Sequence, residues 1–120
     1  AGAAAIGFML EHHLADHARC LGEQMLGLLK DIERDSPFVG DVRGKGLMLG
    51  VEFVTDKSTT EPSVGLPAKV RRFCYKRGLL IEIGGHYSNV ARFLPPLVLT
   101  EDLARKGIEI FAEAVSRLAA

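Results

Sequence analysis

The sequence predicts an α+β two-layer sandwich: a small, mainly antiparallel sheet of three to four strands covered on one face by helices, in the order α-β-β-α-β-β-α. Three observations carry this. Apolar residues recur at steps of three and four in three separated stretches. Between those stretches lie short runs that alternate with period two, joined by turns of hairpin length. Three amphipathic helices need a sheet face to bury against, and a chain of 120 residues suits one core.

The first helix runs from Ala3 to about Arg34, on a stripe of Ile6, Leu10, Leu14, Ala18, Leu21, Met25, Leu28 and Ile32. At 1.5 Å per residue it would be roughly 45 Å long, more than such a domain is wide. Gly22 and Gly27 each cost it about 1 kcal/mol relative to Ala, so tertiary packing must hold it. A helix of this length is expected to bridge two bodies, which makes residues 1–35 a linking element and 36–120 the α+β core. The opening Ala1-Gly2-Ala3 without Met adds the expectation of a piece of a longer protein. Ser36-Pro37 ends the helix, because proline disfavours the helical region in the residue before it.

Val39–Arg43 and Leu47–Val54 read as two strands turned by Gly44-Lys45-Gly46, with Leu47, Leu49, Val51 and Phe53 on one face. Thr55 to Ser63 is a polar loop. Pro67 opens a helix over Ala68–Arg77, with Val70, Phe73 and Cys74 inward and Gly78 as its C-terminal cap. Leu79–Ile83 and Val90–Leu94 are strands flanking the loop Gly84–Asn89, and Pro95-Pro96 ends the second ladder. Thr100 caps a final helix whose first turn carries Glu101 and Asp102, with Leu103, Ile110, Phe111, Ala114 and Leu118 as its expected buried stripe.

Composition excludes several classes. Fifteen basic residues balance fifteen acidic ones, which argues against a nucleic-acid-binding domain. No apolar run approaches the ~20 residues of a membrane span, and a cytoplasmic location is expected. Cys20 and Cys74 form no CxxC, so neither a disulfide framework nor a thiolate zinc site is indicated. His13 and His17 have ligand spacing on a continuous helix, but no further ligand completes a site, and no metal is expected. The run Gly40–Gly46 fails the Walker spacing by one residue and lies between two strands, so a hairpin explains it.

Arg92 stands apart. It is flanked by apolar residues in the strand Val90-Ala91-Arg92-Phe93-Leu94, on the face opposite Ala91 and Phe93. Two readings stand: an ion pair with an internal Asp or Glu, or a planar fork held out for a ligand's carboxylate.

The stretches Gly40-Asp41-Val42-Arg43-Gly44-Lys45-Gly46-Leu47-Met48-Leu49-Gly50-Val51-Glu52, Arg77-Gly78-Leu79-Leu80, Asn89-Val90-Ala91-Arg92-Phe93-Leu94-Pro95-Pro96-Leu97 and Thr100-Glu101-Asp102 come in a specific order and spacing. Together they resemble the C-terminal small domain of the class III (fold type I) pyridoxal-phosphate aminotransferases, and the likeness covers essentially the whole chain. Ile81-Glu82-Ile83-Gly84-Gly85 leading into Arg92 looks most like the diaminobutyrate–2-oxoglutarate transaminases. Ornithine and 4-aminobutyrate transaminases are the alternatives.

The resemblance implies a parent enzyme that moves a terminal amino group from an ω-amino acid to 2-oxoglutarate through pyridoxal phosphate, as a homodimer. It implies that Arg92 grips a substrate α-carboxylate and that Gly84 and Gly85 lie near the mouth of the site. It places the Schiff-base lysine and the cofactor contacts in a large domain of the same chain. None of Lys30, Lys45, Lys57, Lys69, Lys76 or Lys106 sits in the matching context, so no catalytic residue and no cofactor are expected in these 120 residues, and the piece alone should be inactive. The alternative of another class is a free-standing, non-enzymatic α+β regulatory or oligomerisation module, in which Arg92 would pair internally.

Overall fold

Continuous apolar periodicity over residues 3–34 does not produce one helix. In the computed structural model, which describes residues 1–119, the stretch divides into α1 (Gly2–Glu11) and α2 (Leu14–Asp35). His13 adopts φ 51° and ψ 43°, a left-handed conformation that turns the chain between them. His12 closes α1 with its ring 4.2 Å from that of Phe8. The single long helix is thus corrected to two, and its stripe divides with it. Ile6 and Leu10 of α1 stand in solvent, whereas Leu14, Ala18, Leu21, Met25 and Leu29 of α2 are buried.

β1 (Val39–Lys45) and β2 (Met48–Asp56) form the hairpin, with Lys45 opposite Met48 and a two-residue turn of Gly46 and Leu47. Gly46 takes φ +59°, the positive value that such tight turns ask of a glycine at their first position. Thr55–Ser63, expected as a loop, contains the two-residue strand β3 (Glu61–Pro62) paired to the end of β2. Proline is tolerated there because β3 is an edge.

The next helix, α3 (Leu66–Lys76), carries Pro67 in its first turn, and Gly78 follows at φ +89°. The strands after it are shorter than expected: β4 (Glu82–Gly84) and β5 (Val90–Phe93). The last helix, α4 (Glu101–Leu118), is capped by Thr100, whose Oγ1 accepts from the Leu103 backbone N–H at 3.3 Å.

All pairings are antiparallel, in the spatial order β1-β2-β5-β4 with β3 attached to β2. The α+β sandwich holds, with element order α-α-β-β-β-α-β-β-α. Leu47, Leu49, Val51 and Phe53, together with Ala91 and Phe93, point to the helices. Phe111 of α4 packs its ring 6.2 Å from Phe53 and 5.0 Å from Phe93, and fixes the centre of the core. On α4 the buried residues are Ala104, Ile108, Phe111, Ala114 and Val115. Leu103 and Leu118 are exposed, so the expected stripe is rotated around the helix axis. Among the described residues no helix is long and apolar enough to cross a membrane.

Candidate functional site

With the helices on one side, the other face of the sheet lies open. Alternation delivers a row of residues across it. Arg43 of β1 faces Gly50 of β2, Gly50 faces Arg92 of β5, and Arg92 faces Glu82 of β4. Two residues along, on the same face, Glu52 faces Asp41 on β1 and Val90 on β5, and Val90 faces Gly84 on β4. Because Gly50 has no side chain, the floor between the two arginines is bare backbone.

The two arginines differ in how far they are committed. Arg43 donates from Nη1 to Asp41 Oδ2 at 2.6 Å and to Glu52 Oε2 at 2.9 Å. These bonds, Asp41 first, push its pKa further up from an already high value and fix it as a structural link between β1 and β2. Arg92 donates from Nη2 to Glu82 Oε2 at 2.9 Å, with the Arg92 side chain 47% exposed and that of Glu82 64% exposed. An ion pair so open to water is worth about 0–1 kcal/mol, little enough for a well-placed ligand carboxylate to compete. Both readings of Arg92 therefore meet in one geometry. It has an internal partner, and it keeps most of its five donors on an open surface.

Gly84 and Gly85 separate in role. Gly84 ends β4 beside Arg92: a Cβ there would lie 2.7 Å from Arg92 Nε and 2.9 Å from Cζ. Gly85 opens the loop at φ +87°, so its glycine character serves the backbone. Asn89 clamps the loop's far end. It is buried, donates from Nδ2 to the Phe53 carbonyl at 3.0 Å, and accepts at its own carbonyl from the Phe53 N–H at 2.8 Å. Glu82, Gly50 and Asn89 were not singled out in the sequence. Glu82 and Gly50 are legible only once the strand register is known. Asn89 offers a weak signal as a polar residue at a loop–strand junction.

The remaining candidates disperse. His13 leaves the helix, and the His17 Nε2–H donates to the Leu99 carbonyl at 2.7 Å, tying α2 to the segment before α4. Among the described residues no group of three His, Cys, Asp or Glu side chains converges on a metal position. Cys74 is buried, and desolvation pushes its thiol up to about 11, far from a nucleophile's range. Lys30, Lys45, Lys57, Lys69, Lys76 and Lys106 are all exposed. Lys30 pairs with Glu33, and Lys57 donates to the Glu33 carbonyl.

The helices back an antiparallel sheet whose open face presents Arg92, held by a solvent-exposed ion pair with Glu82. Comparison with known proteins gives the family. A family model described as aminotransferase class-III matches residues 1–115, and the chain belongs to that family. It is 37% identical to the alanine/serine racemase of Pyrococcus horikoshii over 115 residues, 96% of this chain and 24% of that one. It is 29% identical to the diaminobutyrate–2-oxoglutarate aminotransferase of Haemophilus influenzae over 120 residues, 95% of this chain and 26% of that one. A pyridoxal-phosphate-bound amine transaminase from an uncultivated Pseudomonas species superposes with a TM-score of 0.88 at 30% identity, over 96% of this chain and 26% of that one. The chain thus spans about a quarter of the length of these relatives.

Proposed function

We propose that residues 1–120 are the C-terminal small domain of a pyridoxal-phosphate-dependent transaminase, and that Arg92 receives a substrate carboxylate. The observation that carries this is Arg92 itself, weakly paired on an open sheet face in a chain of the aminotransferase class-III family. In this reading α1 leads from a large domain of the same chain into α2, which packs in the core. The exposed Ile6, Phe8, Met9 and Leu10 of α1 then find their cover on that large domain. The parent enzyme is a cytoplasmic homodimer that moves the terminal amino group of an ω-amino acid, L-2,4-diaminobutyrate for preference, to 2-oxoglutarate, giving glutamate. Ornithine and 4-aminobutyrate are the alternative donors.

Pyridoxal phosphate, held by the large domain, supplies the electron sink when bound. This chain's part is recognition. The Arg92 fork takes the α-carboxylate by charge-assisted hydrogen bonds and thereby orients the neighbouring keto carbon. Gly84 leaves room for the guanidinium, and Gly85 turns the loop beside it at the mouth of the site. Loss of such a contact should cost about 2–5 kcal/mol in kcat/KM for the acceptor.

The test is glutamate formation by the purified full-length enzyme, with 2-oxoglutarate as acceptor and each of the three donors in turn. Turnover highest with L-2,4-diaminobutyrate is the expected result. Interconversion of amino-acid enantiomers with no need for 2-oxoglutarate would overturn the reading, and so would absence of glutamate from every donor.

A further inference from the structure

We propose that Gly84 is a positioning residue for Arg92: its missing side chain is the space in which the guanidinium lies. This rests on the carboxylate-binding reading of Arg92 and extends it to a second residue. Glycine at a strand end has two ordinary explanations, a backbone conformation closed to other residues or a close approach of another group. The first does not apply. Gly84 lies in the β4 ladder opposite Val90 and has no positive φ, whereas its neighbour Gly85 has φ +87°. The second applies with a particular partner. The three heavy atoms nearest a Cβ at Gly84 all belong to Arg92: Nε at 2.7 Å, Cζ at 2.9 Å and Cδ at 3.3 Å.

The identity of those atoms decides the consequence. They form the distal end of a long, half-exposed side chain, which can move away without disturbing β4 or β5. A methyl group at residue 84 therefore leaves the fold intact and shifts the guanidinium instead. Contrast Gly22, where an added Cβ would strike the backbone of Gly46. Glu82, two residues before Gly84 on the same face of β4, holds Nη2 from one side. Gly84 leaves room beneath Nε and Cζ, and Gly50 on β2 leaves the other side open. The fork is thus held along one edge over bare backbone. A displacement of about 1 Å in such a group costs as much as 100-fold in rate when it orients a reacting carbonyl.

The experiment uses the full-length holoenzyme with 2-oxoglutarate as acceptor and compares wild type, Gly84→Ala, Arg92→Ala and the double variant. Gly84→Ala should raise KM for 2-oxoglutarate about tenfold or more. The donor half-reaction, followed at the cofactor's absorbance without 2-oxoglutarate, should stay within about twofold, and Tm should be unchanged. In the Arg92→Ala background, Gly84→Ala should add nothing further, because the group it displaces is gone. A Gly84→Ala enzyme with wild-type acceptor KM, alongside an Arg92→Ala enzyme that has lost acceptor binding, would overturn this inference and leave the carboxylate reading intact. Equal additive effects in both backgrounds, or a Gly84→Ala enzyme with lowered Tm, would also overturn it and make Gly84 a structural residue. An Arg92→Ala enzyme with wild-type acceptor kinetics would instead remove the underlying reading.

Discussion

Gly22 of α2 and Gly46 of the β1–β2 turn meet backbone to backbone, so that a Cβ on Gly22 would lie 2.0 Å from the Gly46 carbonyl oxygen. This contact sets how closely the main helix lies on the hairpin. Gly22→Ala must push α2 off the turn, and overpacking of this kind outweighs the better helix propensity of Ala. The chain should lose about 3 kcal/mol. Gly27 lies in the same helix with nothing within 4 Å of an added Cβ, and Gly27→Ala should stabilise by up to about 1 kcal/mol. Denaturant unfolding of the two variants checks the opposite signs.

The Arg92–Glu82 pair contributes little to folding. Both side chains are open to water, and such pairs are worth about 0–1 kcal/mol. Arg92→Ala should therefore unfold at nearly the wild-type denaturant midpoint. A loss above about 2 kcal/mol would show that the arginine is a structural element of the sheet.

The two cysteines should react at very different rates. Cys20 is exposed, while Cys74 is buried with its thiol pushed up to about 11 by desolvation. Brief alkylation at pH 8 followed by peptide mapping should modify Cys20 and spare Cys74 until the chain is unfolded.

Arg77 pairs with Glu113 and so holds α3 to α4. The Arg77 hydrogen bond, first among the causes, lowers the Glu113 pKa below its ordinary 4.5. A carboxyl whose folded pKa is depressed contributes stability that is complete above 4.5 and disappears as pH falls through the folded value. Glu113→Gln should thus lower Tm at neutral pH. The gap to wild type should narrow as the pH falls below 4.5 and through the lowered folded value.

Element existence was legible because period, caps and turns agreed. Thr100, Gly78 and Pro67 each mark a helix end where the structure has one. The break at His12–His13 was not legible: the apolar steps run through it without interruption, and no Gly or Pro marks the left-handed residue. β3 was missed because Glu61 and Pro62 are poor strand formers held at an edge by β2. On α4 the stripe was misplaced because small residues fill the packed face. Phe111 and Ala114 are buried as expected, but Ala104 and Val115 lie buried where Leu103 and Leu118 were expected. Arg92 could be singled out from alternation alone. Its partners could not, since Glu82 and Gly50 reach it only through the register of three strands.

The central claim concerns one contact between Arg92 and a substrate's α-carboxylate, and removing that carboxylate from the substrate tests it most directly. Succinic semialdehyde is 2-oxoglutarate without the α-carboxylate. In the full-length enzyme, Arg92→Ala should lower kcat/KM for 2-oxoglutarate by about 30-fold or more and leave the value for succinic semialdehyde within about threefold. An equal loss with both acceptors, or no loss with either, would contradict it.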